Sequence, residues 1–139
     1  MRLILCFVTA LLFAVHSGAS ASPLAEKLRT SEYVLLMRHA LAPGVGDPQG
    51  YSLDRCETQR NLDEQGKQQA VRAGQWLRKQ GIQSATVLSS VWCRCQQTAD
   101  RLGYGPVTIE PSLASFFDTP NRADIQNQAM QRMLANMLS

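Results

Sequence analysis

The sequence has no block of five or six consecutive basic residues, and aromatic residues make up only 6% of it. The first absence argues against the electrostatic footprint of a nucleic-acid binder, the second against a stacking platform for bases. Fourteen Lys and Arg against eleven Asp and Glu leave a formal charge of +3, too weak to name a partner class. No apolar run reaches the roughly 20 residues a membrane-spanning helix needs. No internal repeat or low-complexity tract is present. Histidine is confined to His16 and His39. The chain does hold 45% hydrophobic residues in 139, which suits one compact domain and is too little chain for two.

The first 21 residues read as a leader. Arg2 gives a positive start, residues 3–15 are apolar except for Thr9, and Ala19-Ser20-Ala21 offers the small residues that a signal peptidase reads. Residues 1–21 are therefore expected to be a signal peptide and residues 22–139 the folded domain, periplasmic or secreted and free of the membrane after cleavage. The alternative is an uncleaved anchor.

Export changes how the cysteines read. Cys6 would leave with the signal, and Cys56, Cys93 and Cys95 would remain in an oxidising compartment that permits a disulfide. Cys93 and Cys95 are two apart on an expected helix, so their side chains diverge by about 200° and should not bridge each other. Cys56 should pair with one of them. Cys93 is favoured, because Cys95 shares a face with Val91, Ala99 and Leu102 and reads as core. A Cys-x-Cys metal site lacks the further ligands a four-coordinate centre requires, so no metal is expected.

Residues 33–37 form a short apolar run that suits a strand buried in a parallel sheet. A long Gly/Pro-rich loop follows, of the length that is usually functional or disordered. Asp63 is a candidate N-cap for a helix carrying Ala70, Val71, Gly74 and Leu77, with Gly81 as its stop. A strand is expected over 85–89, a helix over 91–102, and a third strand over 107–109. A last amphipathic helix is expected over 121–138, its stripe of Ile125, Ala129, Met133 and Met137 read as core packing. This alternation predicts an α/β fold: a three-layer sandwich with a mostly parallel sheet covered by helices.

In open α/β sheets, ligands bind beyond the carboxyl ends of the strands. Arg38 and His39 follow the first expected strand, and Arg94 lies in the first turn after the second. A guanidinium fork matches phosphate oxygens in pairs, a helix N-terminus favours anions, and an imidazole can carry a phosphoryl group.

The local wording points the same way. Leu36-Met37-Arg38-His39-Ala40 resembles the opening signature of the histidine phosphatase superfamily, the phosphoglycerate-mutase-like proteins. Leu62, Gly66 and Gln69-Ala70 are similar to its second segment, and Ser89-Ser90, Arg94 and Gln97-Thr98-Ala99 to its third. The three segments occur in order over residues 34–117. The resemblance implies that His39 is the nucleophile and becomes phosphohistidine. It implies that Arg38 and Arg94 hold the phosphate, and that no metal or organic cofactor takes part. Arg60 is a further candidate for the positive pocket.

Several positions depart from the pattern. Ala40 stands where Gly is usual, and residues 41–45 lack the amide some members place on the phosphate. Ser115 falls where mutase-like members carry an acidic Glu, so Asp118 and Asp47 are the candidate general acids. Members also return with a strand bearing a second His. The sequence stops at Ser139, where that last strand should begin: either it is truncated and the second His lies some 10–30 residues further on, the length of a loop plus a strand, or the protein lacks the second His.

The expected function is an exported phosphatase that hydrolyses phosphomonoesters or phosphoramidates of a small molecule or a phosphoprotein. The alternatives are a non-catalytic phosphate-binding or interaction module and a redox or metal protein built on Cys93 and Cys95. Substrate identity and oligomeric state have no signature in the sequence.

Overall fold

The computed structural model describes residues 22–30 and 32–139. The signal peptide expected over residues 1–21, with Cys6 and His16, lies outside the described residues. The elements run in the order α1 (Pro23–Leu28), α2 (Glu64–Lys79), β1 (Val87–Ser89), α3 (Cys93–Arg101), β2 (Val107–Ile109) and α4 (Ala123–Met137), with short 3₁₀ turns at Cys56–Thr58, Pro111–Leu113 and Pro120–Arg122.

The helix α2 starts where the side chain of Asp63 accepts from the Gly66 N–H at 2.6 Å, which satisfies one of the orphan donors of its first turn. It stops at Gly81, whose φ of 88° lets its N–H reach Arg78 O and the next N–H reach Leu77 O, a Schellman closure. Gly66, Ala70, Gly74 and Leu77 form its buried stripe. Two of those positions need glycine for contact. A Cβ at Gly66 would lie 2.0 Å from the Leu41 carbonyl oxygen, and one at Gly74 would lie 2.1 Å from that of Leu102. The helix thus rests directly on the backbone just after His39.

The strands β1 and β2 are parallel, with Val87 opposite Val107 and Ser89 opposite Ile109, and α3 makes the crossover between them. The chain packs α3 on both strands and on α2. The parallel α/β arrangement is the expected one, with a sheet of two strands among the described residues.

Four expectations are corrected. Residues 33–37 are not a strand: they make no sheet hydrogen bonds, and Leu36 and Met37 are 58% and 47% exposed. An apolar run becomes a strand only where a neighbouring edge takes its N–H and C=O groups, and no described strand lies beside this one. The stripe of α4 is not core. Ile125 is 68% exposed and no residue of the helix is fully buried, because α4 packs mainly on the Pro111–Leu113 and Pro120–Arg122 turns. Cys95 is only half-buried, whereas Cys93 is the fully buried one. Trp92 stays extended, so α3 begins two residues later than its pattern suggests, at Cys93, and its inward face carries Cys93, Arg94, Thr98 and Ala99.

Candidate functional site

The site is assembled from three stretches: residues 38–42, the loop up to Leu62, and the first turns of α3. His39 is half-buried, and its Nδ1 lies 2.7 Å from the Ala40 carbonyl oxygen. A carbonyl can only accept, so Nδ1 carries the proton and the lone pair of the neutral ring sits on Nε2. The imidazole's pKa is lowered, first by burial. The Ala40 carbonyl opposes that shift, and the charges of Arg94, Arg38 and Arg60 add to it. All three guanidiniums therefore reach His39 electrostatically, although they come from positions far apart in the chain. The neutral form, which has a lone pair to give, is favoured.

The backbone after His39 is pinned by Thr98. Its Oγ1 accepts from the buried Ala40 N–H at 3.0 Å and donates to the Arg94 carbonyl one helical turn back at 2.7 Å. One hydroxyl thus ties the residue after His39 to the helix that carries Arg94.

Arg94 is 7% exposed. Its Nη1 donates to both oxygens of Asp47, at 3.0 and 3.1 Å. The Trp92 ring centroid lies 4.4 Å from its guanidinium carbon, a stacked cation–π contact. Arg60 faces the loop: its Nε donates to Gly46 O at 2.8 Å, and its Nη1 donates to Ala42 O. Arg60 is thus used as a staple for the loop while its charge still acts on His39. Arg38 is exposed and enters no ion pair among the described residues.

Cys56 and Cys93 are joined in a disulfide, which fastens the loop to the start of α3 beside Arg94. Gln59 adds a second fastening. Its Oε1 accepts from the Cys93 N–H at 3.0 Å, and its Nε2 donates to Ser52 O and Leu53 O. With Cys93 in the disulfide, the Cys93-x-Cys95 pair does not offer two thiolates.

Of the two candidate acids, Asp47 lies against Arg94. Asp118 is exposed and accepts from the Tyr51 hydroxyl at 3.1 Å. The Tyr51 ring lies 5.2 Å from that of Trp92, which connects Asp118 to the Arg94 side of the site.

A cleft of about 400 Å³ opens at Arg38 and His39, walled by residues 40–42 and by Gln65, Gln69 and Arg72 of α2. Gln69 Oε1 accepts the Leu41 N–H at 2.9 Å and helps fix that wall. Arg38 and His39 line this cleft, and neither Arg94 nor Asp47 is among its lining residues. Sequence reasoning gave no role to Gln59, Thr98 or Trp92. Thr98 had one usable signal, a β-branched hydroxyl one helical turn after Arg94, where it can bond the i−4 carbonyl.

A family model described as the histidine phosphatase superfamily (branch 1) matches residues 34–117, more than half of the chain. No curated protein and no solved structure gives a significant match.

Proposed function

This chain belongs to the histidine phosphatase superfamily, and from that premise we propose that it is an exported phosphatase acting through a phosphohistidine on His39. The observation that carries the reading is the imidazole itself. Its Nδ1 is committed to the Ala40 carbonyl, its Nε2 makes no hydrogen bond among the described residues, and burial and three arginines favour the neutral ring.

In the first half-reaction Nε2 attacks phosphorus and the P–O bond to the ester oxygen breaks. The leaving oxygen takes a proton from water or from Asp118. In the second, water attacks phosphorus, a new P–O bond forms as the P–N bond breaks, inorganic phosphate keeps the water's protons, and the electron pair returns to Nε2 of the neutral ring. Arg38 and Arg94 stabilise the charge on the non-bridging oxygens. Arg60 adds positive potential while it holds the loop. The substrate class is a phosphomonoester or phosphoramidate, on a small molecule or a protein. The proposed location is the periplasm or cell exterior, and the proposed fold is a three-layer α/β sandwich, which the parallel pair of strands and family membership support.

The experiment is turnover of p-nitrophenyl phosphate by the full chain. A histidine whose pKa is depressed stays neutral below pH 6.5, so the acid limb of kcat/KM is expected below that value. Arg94→Lys replaces a fork with a point charge and should lower turnover by about 10²–10³-fold. Unchanged turnover in that variant would remove Arg94 from the pocket, and absence of turnover in the wild type would end the phosphatase reading.

A further inference from the structure

A guanidinium has one lone end and two paired edges, and a paired edge can meet two oxygens of a phosphoryl group with two parallel N–H bonds. Arg94 has already committed part of itself. Its Nη1 is bound to both oxygens of Asp47, and the two side chains are 8% and 2% exposed. Its face lies against Trp92. Asp47 is fixed in turn, because its Oδ1 also accepts from the Arg60 N–H at 2.9 Å. The loop around it is closed by the Arg60 guanidinium on the carbonyls of Ala42 and Gly46.

What remains is the Nε–Nη2 edge. Nε is buried and makes no hydrogen bond among the described residues. A buried donor without an acceptor is rare in a folded protein and marks a place where a partner belongs. Two parallel N–H groups on one edge fit two oxygens of a tetrahedral dianion.

We infer that Asp47 is a positioning residue. It takes the Nη1 end of Arg94 and thereby presents the Nε–Nη2 edge to the phosphoryl group. This rests on the phosphatase reading above and gives Asp47 a role other than general acid. An acid needs a proton on an oxygen that faces the ester, and both oxygens of Asp47 face N–H donors.

The test uses the full chain, two esters and inorganic phosphate. An aryl ester with a good leaving group needs little help from an acid, whereas an alkyl ester needs much. Asp47→Asn keeps the shape and loses the charge that holds Arg94. It should lower kcat/KM for both esters by the same factor, about 100-fold for a misplaced binding group, and weaken inorganic phosphate binding in a titration. A loss confined to the alkyl ester, with phosphate affinity intact, makes Asp47 the acid and overturns the inference, and so do wild-type values throughout. If Asp47→Asn melts below the assay temperature, Asp47→Glu decides. It keeps the charge but displaces the carboxylate by one methylene, so it should show the same three losses, and wild-type values there overturn the inference. If the wild type turns over neither ester, the phosphatase reading falls, and phosphate affinity alone still reports whether Asp47 sets Arg94.

Discussion

The stretch from Ala40 to Leu62 and the helix α4 reverse the usual relation between regular backbone and fixed position. The first has almost no secondary structure beyond one 3₁₀ turn, yet it is bound to distant residues by a disulfide, a buried ion pair and the side chains of Gln59 and Thr98. The second is a regular helix of 15 residues whose side-chain bonds to other elements, among the described residues, are two, both from Gln126 to the carbonyls of Pro111 and Ser112. Position in this protein comes from long-range polar and covalent ties. Helical hydrogen bonds order α4 internally and do little to place it.

That contrast can be broken from its strong side. Replacing Cys56 and Cys93 together by Ser opens a loop that closes over 37 positions, and should cost about 4 kcal/mol of unfolding free energy. Denaturant midpoints of the two forms measure it. A shift near zero would show that the ion pair and Gln59 hold the loop unaided.

A smaller loss is expected at Thr98. Thr98→Val keeps the volume and removes the acceptor for the buried Ala40 N–H, a cost of about 1–3 kcal/mol. Because Ala40 follows His39, kcat should fall as well, and a variant that lost stability without losing rate would separate the two roles.

The weakest effect belongs to α4. Ile125→Ser removes an apolar side chain that is 68% exposed and should change stability by no more than about 0.5 kcal/mol. A loss several times larger would mean that this face is covered in solution and that the contrast is drawn in the wrong place.

Legibility in the sequence divides along the same line. The ends of α2 were readable because Asp63 and Gly81 act locally, through one cap and one positive φ. The Cys56–Cys93 pairing is the expected one, but not for the expected reason, because Cys93 is the buried cysteine and Cys95 is only half-buried. Arg38, His39 and Arg94 stand out mainly because their segments resemble a family signature, and the family model covers those same segments. The strand expected over 33–37 and the buried stripe of α4 were misread for one reason: both depend on a neighbour, and an apolar pattern states a need for cover without naming what meets it. Asp47 shows the converse limit. The sequence marks a carboxylate near the site, but only the fold turns it onto Arg94.

The most direct measurement is to mix the full chain with a phosphoester radiolabelled at phosphorus, quench in alkali, and locate the label. The account predicts a covalent label that survives base and is lost in acid, carried on the peptide containing His39 and absent from His39→Ala. An acid-stable label, a label that persists in His39→Ala, or turnover by that variant at the wild-type rate would contradict it.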